Sequence, residues 1–164
     1  MSLELLDPLV KQALDTYDIK AKAIECNPEL ADTADFCAHY GFALDQSANT
    51  IIVASRTEPI RFSACLVLAA TKLDVNKKVR ELMGIRKLSF ATAGQTKELT
   101  GMLIGGVTIV GLPDIPIYID KEVMERSEVI VGGGNRSSKL VLNPAELRKL
   151  PDSHIIDGLG IARQ

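Results

Sequence analysis

Two glycine-rich stretches carry the chemical promise of this 164-residue chain. The first is Thr100-Gly101-Met102-Leu103-Ile104-Gly105-Gly106-Val107-Thr108, with three glycines in six residues. Such a segment brings bare backbone N–H and C=O groups close to a ligand, and an ester or carboxylate can be read that way. The same glycines would also serve a loop that only needs to turn. The second stretch is Gly132-Gly133-Gly134-Asn135-Arg136, set between two apolar runs. Consecutive glycines can form an anion-binding nest of N–H groups, and Arg136 would add a bidentate donor fork. The alternative is a flexible hairpin with a surface arginine. Neither spacing matches GxxxxGK[ST] or GxGxxG, so nucleotide binding through those motifs is excluded.

Other polar residues offer less. Asp120 closes an apolar run just before a helical stretch, where a helix cap is its natural role. Cys26, Cys37 and Cys65 are odd in number and irregularly spaced, with no CxxC pair, which argues against a disulfide framework. Buried free cysteines behave as small apolar residues. His39 and His154 lie far apart, with no adjacent Ser or Cys to suggest a triad, and no metal site is expected. Charge is unevenly spread. Residues 1–58 carry ten acidic and four basic side chains, a net of −6. Residues 72–87 carry Lys72, Lys77, Lys78, Arg80, Arg86 and Lys87 against Asp74 and Glu81, a net of +4. A polyanion could dock on that segment through phosphate contacts, although a solvated helix face has the same composition. The overall charge of −2 by itself argues against a dedicated nucleic-acid binder, DNA included.

The elements that must position these residues are short and mixed. Asp7-Pro8 starts a helix with Leu9, Val10, Ala13, Leu14 and Tyr17 on one face. Asp32 begins a second, with Ala34, Cys37, Ala38 and Phe42 on its buried side. Thr50 to Ala54 and Phe62 to Ala70 read as antiparallel strands around an Arg56–Pro59 turn. Asp74 caps a helix to Met83, with Val75, Val79, Leu82 and Met83 inward and Gly84 as the stop. Then come a strand at 87–90, a helical turn at 94–99, a glycine-rich loop at 101–114, a strand at 115–120 and a short helix at 121–124. Strands at 129–131 and 140–142, a helix opened by Asn143-Pro144, and one last strand around Ile155 complete the chain. The order is not a regular βαβ alternation, so the expectation is α/β of the α+β type: a mixed sheet surrounded by helices. Length and a hydrophobic share of 46% suit a single domain over 1–164 with its own core. No apolar run approaches the ~20 residues of a membrane span, and the acidic N-terminus lacks a signal peptide's pattern, so the cytoplasm is expected. With no heptad pattern or long exposed apolar helix, a monomer is the default.

Taken in order, these pieces resemble the YbaK/EbsC family of aminoacyl-tRNA editing domains, which includes the editing domain of prolyl-tRNA synthetases. The matching text is Asp32-Thr33-Ala34, Thr50-Ile51-Ile52-Val53, Lys72-Leu73-Asp74, Thr100-Gly101 with Gly105-Gly106, Ile119-Asp120, Gly133-Gly134-Asn135-Arg136 and Leu142 to Leu147. It spans roughly residues 20–155. The resemblance implies a partly barrel-like mixed sheet and hydrolysis, in trans, of the ester joining a wrong amino acid to tRNA. It implies aminoacyl-tRNA as partner, an aminoacyl-tRNA synthetase as a further one, and no cofactor. Amides of Gly105 and Gly106 would bind the ester oxygen. Gly101, Thr108, Asp120, Gly132, Gly133, Gly134 and Arg136 would shape the aminoacyl pocket. Lys72, Lys77, Lys78, Arg80 and Lys87 would touch tRNA phosphates. Where relatives typically carry a catalytic lysine this chain has Asn49. Ile109 replaces a common proline, Gly132 a frequent serine, and Lys139 stands where several relatives are acidic, a relocated charge. The alternative function is a catalytically impaired module that binds aminoacyl-tRNA, a synthetase or a small amino-acid-like ligand.

Overall fold

The computed structural model describes residues 3–163. Its helices are α1 (Pro8–Thr16), α2 (Thr33–Tyr40), α3 (Arg80–Met83), α4 (Ala93–Thr100) and α5 (Lys121–Met124). Its strands are β1 (Lys22–Glu25), β2 (Ala48–Ser55), β3 (Phe62–Leu68), β4 (Thr71–Leu73), β5 (Leu88–Phe90), β6 (Ile117–Asp120), β7 (Val129–Gly132), β8 (Ser138–Leu142), β9 (Ser153–Ile156) and β10 (Gly160–Ala162). The strands make a five-stranded mixed sheet in the order β5-β2-β3-β6-β9, a three-stranded sheet β1-β8-β7 and a ribbon β10-β4. Among the described residues the three are not closed into one barrel; a parallel bridge between Ser47 and Ile130 links the first two. The α+β expectation holds.

Local chemistry accounts for the frame. The β-branched run on β2 pairs antiparallel with β3 from Ala48↔Leu68 to Ala54↔Phe62. β6 adds parallel to β3 and β9 parallel to β6. The main core lies on the sheet face that presents Ala48, Ile52, Leu66, Leu68 and Ile119, and it extends to Val10 and Leu14 of α1 and Leu140 of β8. Val53, Cys65, Val67 and Tyr118 point to the other face, where Val75, Val79 and Leu159 cover them. Burial pushes the Cys65 thiol up to about 12. The caps predicted at Asp7, Asp74 and Asn143 form, accepting from Leu9 N at 2.9 Å, Lys77 N at 3.2 Å and Ala145 N at 3.0 Å, whereas Asp120 takes the N-cap position of α5 without a side-chain cap hydrogen bond.

Several details differ from the sequence reading. Leu9 and Tyr17 face solvent, because only Val10, Ala13 and Leu14 of α1 reach the core. On α2 the buried pair is Phe36 and Cys37, while Ala34 and Ala38 are exposed. The helix expected from Asp74 to Met83 begins as a π-turn over Val75–Val79, with Val79 N donating to Asp74 O at 3.1 Å, before α3 follows. Two strands arise from tertiary pairing alone: β1 against β8, and β10 against β4. No described helix is long and apolar enough to cross a membrane.

Candidate functional site

A cavity of about 390 Å³ opens beside the N-terminal half of β2. β5 pairs with β2 only over Val53–Ser55, and the amide of Ala91 then reaches Ile52 O at 2.8 Å. Beyond that point the edge of β2 gives onto the cavity. The start of α2 and the 104–107 loop close other sides, and β7 and β8 form the back. Exposed Phe90 and Ile104 flank the opening.

Three of the expected site residues meet here: Asn49, Gly105 and Gly132 all line the cavity, together with Lys139. The Asn49 amide oxygen accepts from the Thr33 hydroxyl, which ties β2 to the first turn of α2. Lys139 stands on β8 and is only 5% exposed. Its ammonium donates to Ala31 O at 2.7 Å and Gly105 O at 3.1 Å, and lies 5.3 Å from the Phe36 ring centre. An ammonium has three donors, so one remains beyond these two carbonyls. Burial holds its pKa below the usual lysine range.

The glycines work mainly by close backbone approach. A Cβ on Gly106 would stand 2.2 Å from Asn135 O, and one on Gly132 would stand 2.4 Å from Val107 O. The two glycine-rich stretches are thus pressed together backbone to backbone, which builds the cavity wall. The expected pair of free amides narrows to one. Gly106 N donates to Leu103 O at 2.9 Å inside the turn, whereas Gly105 N has no partner among the described residues. The anion-nest reading of Gly132, Gly133 and Gly134 is corrected for a similar reason. All three are buried, Gly134 N donates to Gly106 O at 2.7 Å, and Gly134 packs on Asp7 and Val10 of α1.

Other expected residues stand outside the cavity lining. Arg136 is no free anion fork: its Nε donates to Pro28 O at 3.0 Å, and its Nη1 to Ile104 O at 2.7 Å and to the Asp32 carboxylate at 3.1 Å. Asp120 sits at the end of β6, 1% exposed, accepting from Gly160 N at 3.2 Å. Burial raises its pKa. Thr108 is fully buried, with its hydroxyl 3.4 Å from Val110 N, and Gly101 is the left-handed C-cap of α4. Cys26 and Cys37 are buried, and Cys37 Sγ lies 3.3 Å from Ser47 Oγ. No described group of three His, Cys, Asp or Glu residues is placed to hold a metal ion.

The basic residues form a separate region. Lys72, Lys77, Arg80, Arg86 and Lys87 are exposed, while Lys78 is half-buried. Arg80, Arg86 and Lys87 border an open groove with Thr57 and Ile85. Arg56 N donates to Lys87 O, so this groove lies at the far end of β2. At ~3.3 Å per residue it is roughly 20 Å from Asn49.

Thr33 and Phe90 line the cavity although sequence reasoning assigned them no role at a site, and Lys139, expected only as a relocated charge, lines it as well. A lysine within the apolar run Lys139-Leu140-Val141-Leu142 was the available signal, because a buried lysine needs polar partners.

The family model for the aminoacyl-tRNA editing domain matches residues 27–150. A solved structure described as a candidate trans-editing enzyme for prolyl tRNA synthetase is similar at 26% identity. The match covers 93% of this chain and 97% of that one, with a TM-score of 0.77. A hypothetical protein, APE2540, shares the fold at 23% identity and a TM-score of 0.82, over 93% of this chain and 99% of that one.

Proposed function

Because the chain belongs to the aminoacyl-tRNA editing domain family, we propose that it is a free-standing aminoacyl-tRNA deacylase acting in trans. The observation that carries this reading is one cavity lined both by Gly105, whose backbone amide has no partner among the described residues, and by the buried Lys139. Both favour negative charge on an ester oxygen as it develops. Water attacks the ester carbonyl carbon, and the carbonyl π pair moves to oxygen, which Gly105 N–H stabilises. As the carbonyl reforms, the bond to the ribose oxygen breaks. That oxygen leaves with the bonding pair and takes a proton derived from the water. A free amino acid and an uncharged tRNA 3′ end result. The apolar wall around Val107, Ile130 and Val131 accommodates the amino-acid side chain. The groove at Arg80, Arg86 and Lys87 would bind acceptor-stem phosphates, and Lys72, Lys77 and Lys78 would extend that field. The proposed location is the cytoplasm, where charged tRNA and synthetases are found.

The test is deacylation of a panel of mischarged tRNAs, alanyl-, cysteinyl- and seryl-tRNA among them, with Asn49→Lys beside the wild type. Turnover by the wild type above the buffer rate supports the deacylase. One observation favours the second reading, a binding module without turnover: Asn49 brings no charge, and its amide oxygen is already engaged by Thr33. That reading requires saturable binding with no release of amino acid, and turnover only in the lysine variant would support it.

A further inference from the structure

We propose that Arg136 is a positioning residue that acts through the Ile104–Gly105 peptide, fixing and polarising the Gly105 N–H that receives the ester oxyanion. The proposal rests on the deacylase reading for the identity of that oxyanion. Its structural basis is the direction of one peptide plane. The single cis peptide bond among the described residues is Glu58-Pro59, so Ile104–Gly105 is trans. In a trans peptide the C=O and N–H point in opposite directions. Arg136 Nη1 holds the Ile104 carbonyl at 2.7 Å, so the Gly105 N–H points away from the guanidinium. Gly105 lines the cavity and Arg136 does not. The guanidinium is itself immobilised by Pro28 O and the Asp32 carboxylate.

A charge-assisted hydrogen bond at the carbonyl end of an amide draws density from nitrogen and strengthens its N–H as a donor. A side chain at Gly105 would displace the guanidinium, since a Cβ would fall 2.0 Å from Arg136 Nη1. Lys139 holds the next carbonyl, Gly105 O, and the amide of that second plane, Gly106 N–H, is spent on Leu103 O. Two cations therefore grip successive peptides of one turn, and the plane gripped by Arg136 carries the unpaired donor. The effect belongs to the transition state and the tetrahedral intermediate beyond it, because the oxygen gains its charge only as the water adds.

The experiment compares wild type, Arg136→Met and Arg136→Lys in steady-state deacylation and in 15N–1H spectra of the free protein. Loss of the guanidinium should lower kcat by roughly 10- to 100-fold while KM stays within about twofold. Arg136→Lys, which can still reach one carbonyl, should recover part of the loss. Added guanidinium ion at non-denaturing concentration should restore turnover to Arg136→Met, a rescue that general loosening of the fold would not show. The Gly105 amide nitrogen should move upfield in Arg136→Met. A raised KM with unchanged kcat would overturn the proposal by making Arg136 a direct substrate contact. A Gly105 resonance that stays in place would overturn it whether or not the protein turns over. A wild type inactive on every substrate would instead overturn the deacylase reading, which separates the two failures.

Discussion

Gly106 and Asn135 meet backbone to backbone, and no side chain fits between them. A Cβ on Gly106 would lie 2.2 Å from Asn135 O and 2.7 Å from Asn135 Cα. Gly106 also donates to Leu103 O and accepts from Gly134 N. This contact joins the two glycine-rich stretches into one wall.

Gly106→Ala should therefore cost ~1–3 kcal/mol or more, because backbone must move to relieve the overlap. Gly101→Ala provides the contrast. Its left-handed φ of 75° disfavours a side chain, but nothing lies within 4 Å of the added atom. It should cost only ~1 kcal/mol. Urea unfolding of both variants checks the order, and equal losses would contradict it.

Asp120→Asn tests the buried carboxylate. Its pKa is raised in the fold by burial, so between the unfolded value of about 3.9 and the folded one the native chain binds more protons. Wild-type stability attributable to this group is then present at low pH and lost as pH rises through the folded pKa. The asparagine variant lacks that loss. Its melting temperature should gain on wild type between pH 4 and pH 7, each kcal/mol reading as roughly 2–4 °C. A constant difference across that range would refute the prediction.

For Lys139 the sign is opposite in proton terms. The folded pKa is lowered by burial, so in the window between it and the unfolded value the unfolded chain binds more protons. Wild type gains stability from this group as pH rises through that window. Lys139→Met gains none and leaves Ala31 O and Gly105 O without their donor. It should be less stable by ~1–3 kcal/mol at pH 7. The deficit should widen towards pH 10, which denaturant titrations at the two pH values would measure.

Arg86→Glu and Lys87→Glu probe the groove distant from the cavity. Both side chains are exposed, and neither lines the cavity. If they meet tRNA phosphates, each change should raise KM and leave kcat within about twofold. The slope of log KM against log salt should fall by about one per lost contact. Unchanged KM at low salt would remove this groove from the tRNA path.

Much of the frame was legible because its causes are local. The β-branched run at Thr50–Val53 and the apolar run after Phe62 specify a strand pair, and Asp7-Pro8 and Asn143-Pro144 specify helix starts. Other elements have no local cause. Lys22–Glu25 is a strand because it pairs with residues more than a hundred positions later, Lys22 opposite Val141. Gly160–Ala162 is one because Thr71–Leu73 offers it an edge.

The site divides in the same way. Residue types and spacing in the sequence determined where backbone could be bared, that a basic segment follows residue 71, and that position 49 brings no charge. Tertiary structure alone decided what each group faces. It turned Arg136 onto Ile104 O and away from the cavity, engaged the Gly106 amide while leaving that of Gly105 unpaired, placed Asp120 against Gly160, and brought Lys139 beside Gly105. The physical reason is that a hydrogen bond depends on direction over about 3 Å. Composition and periodicity carry the tendency to bury or to turn, but a bond's direction is set by chain segments far apart in sequence.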